Sequence, residues 1–168
     1  MCLIPTGITR GCEYSFGGLS KVYLGNRDFI TAKMDGDEVI TGFTKTLGEK
    51  FYEFQVEPET AQLLEELQAG NASKFIQQTL NFSLTNITQE KKAVLEALGL
   101  AKIIALVEFQ NGVFKVAGQY GSGLKATTLS IDSGTAIADL NGATVSLVGG
   151  STGFANEATA GAVTSALS

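Results

Sequence analysis

Several stretches of this chain, Lys50–Glu57 and Lys74–Leu84 most clearly, alternate hydrophobic and polar residues in steps of two, the period of a half-buried strand. The sharpest departure lies between Ile87 and Gly118, where helical spacing gives way to strand spacing within a few residues. Thr88 is placed to cap a first turn, Glu90 sits near the positive end of the helix dipole, and Val94, Leu95 and Leu98 form an apolar stripe. Together they predict one helix over about 88–98. Gly99 reads as the left-handed residue that stops it, with Leu100 folding back onto the last turn. Ile103, Ile104, Ala105, Leu106 and Val107 then make an unbroken β-rich apolar run, which suits a strand buried on both faces. Asn111-Gly112 predicts a type I′ hairpin, with Val113, Phe114 and Val116 on the return strand.

The remaining pattern predicts further strands. An irregular N-terminal arm over 1–19 precedes a strand at Lys21–Leu24, and Phe29–Ala32 reads as a short strand or a loop. Val39–Phe43 and Lys50–Glu57 follow, the latter with Tyr52, Phe54 and Val56 on one face and Pro58 as its stop. Glu59–Gln68 fits either a helix or, in steps of two, one arm of a long hairpin whose second arm is Lys74–Leu84; the hairpin is preferred. In that second arm Ile76, Leu80, Phe82 and Leu84 share a face with one polar residue, Gln78. Leu124–Ile131 and Ala143–Val148 complete the strands, with Gly149-Gly150 closing the last. Residues 1–150 thus form one β-rich domain. Ser151–Ser168, small and Ala/Thr/Ser-rich, reads as a flexible C-terminal tail.

Composition narrows the functional classes. The 168 residues suffice for one core, and 20 glycines with only 17% charged residues fit a turn-rich β fold. Twelve basic against seventeen acidic residues give a net charge of −5, the opposite of a surface that grips nucleic acid. Cys2 and Cys12 are the only cysteines, and no secretory pattern precedes them, so a cytoplasmic, reduced chain is expected and a disulfide is not. No apolar run approaches the ~20 residues of a membrane-spanning helix.

Candidates for chemistry are few. The chain has no histidine, which excludes Ser-His-Asp and Cys-His catalysis outright. Gly121-Ser122-Gly123 lacks the lysine and spacing of a phosphate loop, and Asp35-Gly36-Asp37 lacks the remaining ligands of a calcium loop; both read better as turns. Glu65-Glu66 or the Asp35/Asp37 pair resemble glycosidase carboxylates only superficially, because the chain has no tryptophan to build a sugar platform. Neither an enzyme nor a cofactor is expected.

Three stretches carry a resemblance. The opening TGITRGCEYSFGGLSKVYLGN, the middle KKAVLEALGLAKIIALVEFQNGVFKVAG and the closing SGTAIADLNGATVSLVGG resemble virion proteins of phages of Bacteroidetes, the crAss-like group included. That resemblance implies a tail-tube-like or neck-ring subunit, a mainly β sandwich or barrel flanked by one helix, with a long loop or hairpin and extended terminal arms. It also implies a homo-oligomeric ring, hexameric or dodecameric, joined to adjacent tail or neck proteins in the virion and passed by DNA without specific binding. No membrane partner follows from it.

Physical reasoning adds two expectations. A ring subunit needs sheet edges free to meet neighbours, and few prolines or lysines block the strands of this chain. An acidic channel would repel the phosphate backbone, which makes Asp35, Asp37, Glu49, Glu53, Glu65 and Glu66 candidates to line the lumen or its mouth. The alternative reading is a small β-barrel binding module that recognises a glycan or a partner virion protein.

Overall fold

A computed structural model describes residues 6–8, 10, 15–135, 139 and 141–168. Cys2, Cys12 and most of the expected N-terminal arm lie outside the described residues. The fold is mainly β and, among the described residues, has two sheets, two helices and no barrel closure. The strands are β1 (Leu19–Asn26), β2 (Ile30–Met34), β3 (Ile40–Lys45), β4 (Tyr52–Phe54), β5 (Gln62–Ala69), β6 (Lys74–Thr85), β7 (Ile103–Phe109), β8 (Phe114–Ala117), β9 (Lys125–Asp132), β10 (Gly142–Ser151) and β11 (Asn156–Ala158). The helices are α1 (Gln89–Leu100) and α2 (Ala160–Leu167).

One sheet has seven strands in the order β2-β3-β11-β8-β7-β1-β4, the other four in the order β5-β6-β10-β9. The seven-stranded sheet is covered on both sides, which is why β7 carries no polar residue in its first five positions. Ile103, Ala105 and Val107 join Val22, Leu24, Leu80, Phe82, Val145 and Leu147 in a core between the sheets, closed at one end by Leu95 and Leu98 of α1. Ile104 and Leu106 point the other way and pack with Tyr23, Ile30, Ile40, Phe51 and Val116, and with Ala162, Val163 and Ala166 of α2.

Within Glu59–Gln68 the chain turns at Glu59 and runs as strand from Gln62, with no helix. β5 pairs antiparallel with β6 from Gln62↔Asn81 to Ala69↔Lys74. The hairpin does not project as a free arm, since β6 is also paired with β10 from Ile76↔Ser151 to Thr85↔Gly142. The pairing runs on through Gly149 and Gly150, which do not close the strand. Gly149 has to be a glycine because an added Cβ would stand 2.5 Å from the carbonyl oxygen of Gly123.

Local corrections have physical causes. The side chain of Thr88 does cap α1, accepting from the Lys91 amide, but the helix runs through Gly99, which has no positive φ. It ends at an extended Ala101 instead, and Leu100 is left fully exposed. At the β7–β8 hairpin only Gly112 has positive φ. The Gly112 amide donates to the Phe109 carbonyl and the Phe109 amide donates to Val113, while Asn111 Oδ1 accepts from the Val113 amide. This is a type I turn with a glycine bulge, not the mirror-image turn read from Asn-Gly. The regular strand expected over Lys50–Glu57 shrinks to β4, because the Glu57 amide leaves the seven-stranded sheet and donates to Ser83 of β6.

The largest departure is the C-terminus. Residues 151–168, read as a flexible tail, form β11 and α2. β11 sits inside the seven-stranded sheet, parallel to β3 and antiparallel to β8, and among the described residues it alone pairs the β2–β3 hairpin with the other strands of that sheet. Thr159 caps α2 at its start, and Lys45 Nζ donates to the carbonyls of Ser165 and Ser168 at its end. Small residues suit this position: Ala162 and Ala166 are fully buried against the sheet, where a larger side chain would hold the helix away. A composition that reads as disorder is here the composition of a tightly seated helix.

Candidate functional site

The six acidic candidates do not converge. Asp35 and Asp37 are exposed in the β2–β3 turn, where Asp35 Oδ1 accepts from the amides of Asp37 and Val39. Glu49 is half-buried and accepts from Asn26 Nδ2 at 3.1 Å. Glu53 is exposed on β4, at the opposite edge of the same sheet from β2. Glu65 and Glu66 lie on β5, at an edge of the other sheet. Glu66 is exposed, but Glu65 turns inward and Oε1 accepts from Gln78 Nε2 at 2.9 Å and from the Ala155 amide at 2.6 Å. Glu49 and Glu65 therefore hold the fold together, and the exposed carboxylates are Asp35, Asp37, Glu53 and Glu66.

Two surfaces stand out. The first is the outward face of the four-stranded sheet. Ile76, Gln78, Leu80 and Phe82 point into the core, so Gln77, Thr79, Asn81 and Ser83 between them point out, joined by Thr144 and Ser146 of β10 and by Glu66 opposite Gln77. The middle of this face is polar, but Leu64 opposite Thr79, Phe75 opposite Gln68, and Val148 lie on it too, and Lys125 stands opposite Val148 at the β9 edge.

The second is a groove of about 690 Å³ between the edge of the seven-stranded sheet and α1. One wall is the extended backbone from Tyr52 to Glu57, the other is Lys91, Val94 and Leu95, and Leu84, Thr85 and Asn86 close the end. A shallower continuation, about 320 Å³, shares Tyr52, Phe54 and Val94 and adds Ala97, Leu98 and Ala101. Tyr52 and Val94 are each about half exposed there, at 51% and 53%. The stripe of Val94, Leu95 and Leu98 is thus divided: Leu95 and Leu98 enter the core, and Val94 faces the groove. Helical spacing alone signals an apolar face; it does not tell how much of that face the sheet covers.

The edges of both sheets are open among the described residues. β2 and β4 flank one sheet, β5 and β9 the other. Exposed apolar side chains lie on or beside them: Met34 on β2, Tyr52 on β4, Leu64 and Leu67 on β5, and Ile131 on β9.

Electrostatics near β4 couple three strands. Lys21 Nζ lies 3.6 Å from Glu108 Oε2, and both flank Tyr23 on β1. Burial pushes the Tyr23 phenol above its ordinary value, opposed by Lys21 and reinforced by Glu53 and Glu108. Lys21 is raised in turn, first by Tyr23 and then by Glu108.

Among the described residues no group of three or more Cys, Asp or Glu side chains is placed to hold a metal ion, and no helix is long and apolar enough to cross a membrane. Comparison with models of known families, with curated proteins and with solved structures finds no match.

Proposed function

We propose that this chain is a structural virion protein, one subunit of a ring or tube around the DNA channel of a phage tail or neck. The reading rests first on the resemblance of its opening, middle and closing stretches to virion proteins of Bacteroidetes phages. The structural observation that carries it furthest is the pair of open sheet edges β4 and β5, which bear exposed apolar side chains and neither lysine nor proline, whereas the edges β2 and β9 carry Lys33 and Lys125. Soluble monomers ordinarily blunt such edges with prolines, lysines or a covering loop, because an unpaired strand recruits other chains. A head-to-tail contact between two different edges, repeated with a closing rotation, makes a ring.

In this reading the channel is lined by polar side chains without a cationic patch. The strip of the four-stranded sheet formed by Gln77, Asn81, Ser83, Thr144 and Ser146, with Glu66, has that character, and Asp35 and Asp37 on their turn are suited to a mouth. Neutral and acidic groups give the phosphate backbone nothing to hold, so DNA slides past. The partners are other copies of the chain, hexameric or dodecameric, and the tail or neck proteins above and below.

The test is electron microscopy of the purified full chain. Closed rings or stacked tubes with an open centre support the reading. A population of single particles with no central channel, at all concentrations, overturns it.

A further inference from the structure

Met34 is the one methionine of the chain besides Met1, and its sulfur faces two donors that share a single oxygen between them. The residue lies on β2, an edge strand that also carries Lys33, and is 41% exposed. From the loop between β8 and β9, Gln119 Nε2 points at Met34 Sδ from 3.7 Å and the Tyr120 hydroxyl from 3.5 Å. Both donors also meet Asn156 Oδ1. That oxygen is held in place, because Asn156 Nδ2 donates to the Glu38 carbonyl. Gln119 is 8% exposed, so water reaches its amide poorly, and the thioether it faces is a weak acceptor.

Oxidation supplies the acceptor that this cluster lacks. The Met34 sulfur gives an electron pair to one oxygen of hydrogen peroxide, an S–O bond forms as the O–O bond breaks, and the other oxygen leaves as water with both protons. The sulfur is oxidised and the peroxide reduced. The new sulfoxide oxygen is polar where the thioether was not, and the flexible methionine side chain lets it turn toward Gln119 and Tyr120.

We propose that Met34 is a peroxide-responsive site whose sulfoxide is held by Gln119 and Tyr120. A sulfoxide ordinarily disrupts the packing around it. Here it ties β2 to the β8–β9 loop, a second attachment for a hairpin that, among the described residues, β11 alone pairs with the rest of its sheet. The site is at the opposite edge of that sheet from β4, and it does not depend on the ring reading.

The experiment treats the full chain, with Cys2 and Cys12 replaced by serine, with hydrogen peroxide and follows the gain of one oxygen at Met34 by peptide mass. Met34 is oxidised in the folded chain, and the thermal midpoint stays within about 2 °C of the reduced value. Tyr120→Phe removes one donor, and oxidation then lowers the midpoint by about 2–4 °C more than in the parent, the worth of one hydrogen bond in a chain of this length. Amide exchange in β2 holds or slows on oxidation of the parent and quickens on oxidation of Tyr120→Phe. Met34→Leu, which takes up oxygen only at Met1, shows neither change. The same midpoint shift in the parent and in Tyr120→Phe, an equal response in Met34→Leu, or a Met34 left unoxidised under conditions that oxidise a methionine-containing peptide overturns the proposal.

Discussion

Gln78 and Glu65 lie directly opposite each other on β6 and β5, and their side chains meet inside the protein at 2.9 Å. Gln78 is 1% exposed. Its amide nitrogen donates to Glu65, and its oxygen accepts from the Gly118 amide beyond β8. Glu65 in turn accepts from Ala155, at the entry to β11. One buried amide therefore ties the smaller sheet to the larger and to the C-terminal segment. Gln78→Leu strands the Gly118 N–H and removes a donor from the carboxylate, and is expected to cost about 2–4 kcal/mol. Urea unfolding measures it; a loss below about 0.5 kcal/mol would show that the network contributes little.

The C-terminal segment supplies a strand in the middle of a sheet, so removing it does more than trim an end. Truncation after Ala155 deletes β11 and α2, uncovers Ile30 and Ile40, and unlinks the β2–β3 hairpin from the rest of the larger sheet. Burial of Val163 and two alanines alone amounts to roughly 3 kcal/mol. The expected outcome is a large fall in thermal midpoint and loss of amide protection in β2 and β3. Protection unchanged there would refute the assigned strand order.

Gly99 gives a prediction opposite in sign to the one its sequence context implies. As a left-handed cap it would resist substitution, but it lies inside α1 with ordinary φ, exposed, and with open space where a Cβ would stand. Gly99→Ala is expected to stabilise by about 0.5–1 kcal/mol. Gly142→Ala is the contrast, since its Cβ would stand 2.0 Å from the Leu84 carbonyl oxygen; it is expected to destabilise by more than about 2 kcal/mol. Paired thermal melts distinguish the two.

Much of this architecture was legible in the residues, for identifiable reasons. The two-faced burial of β7 followed from Ile103–Val107 because a strand covered on both sides has no polar alternate. The β5–β6 hairpin followed from the period-two reading of Glu59–Gln68. The capping by Thr88 was equally local. What escaped depended on distant partners. Nothing near Ala162 or Ala166 announces that β3, about 120 residues earlier in the sequence, is among the strands that receive them, and Glu65 reads as a surface carboxylate until Gln78 and Ala155 are seen beside it. The groove escaped for the same reason, since one wall is β4 and the other is Val94 on α1.

Alkaline pH tests the cluster around Tyr23. Both Tyr23 and Lys21 hold their protons more tightly folded than at the ordinary values of 10.0 and 10.5. With the folded values raised, the unfolded chain binds fewer protons above about pH 10, so stability is full below that pH and falls as pH rises through the folded values. Tyr23→Phe removes the phenol and is expected to flatten the fall above about pH 10. Urea midpoints across that range read it out; an equally steep fall in the variant would place the alkaline transition elsewhere.

The account stands on self-association through unpaired sheet margins, and sedimentation velocity of the full chain over a hundred-fold range of concentration measures that directly. It predicts a single large species, a closed multiple of the subunit, that persists on dilution and gives way to smaller species when Leu67→Lys places a charge on the β5 edge. A sharp monomer boundary at every concentration, unmoved by that substitution, would contradict it.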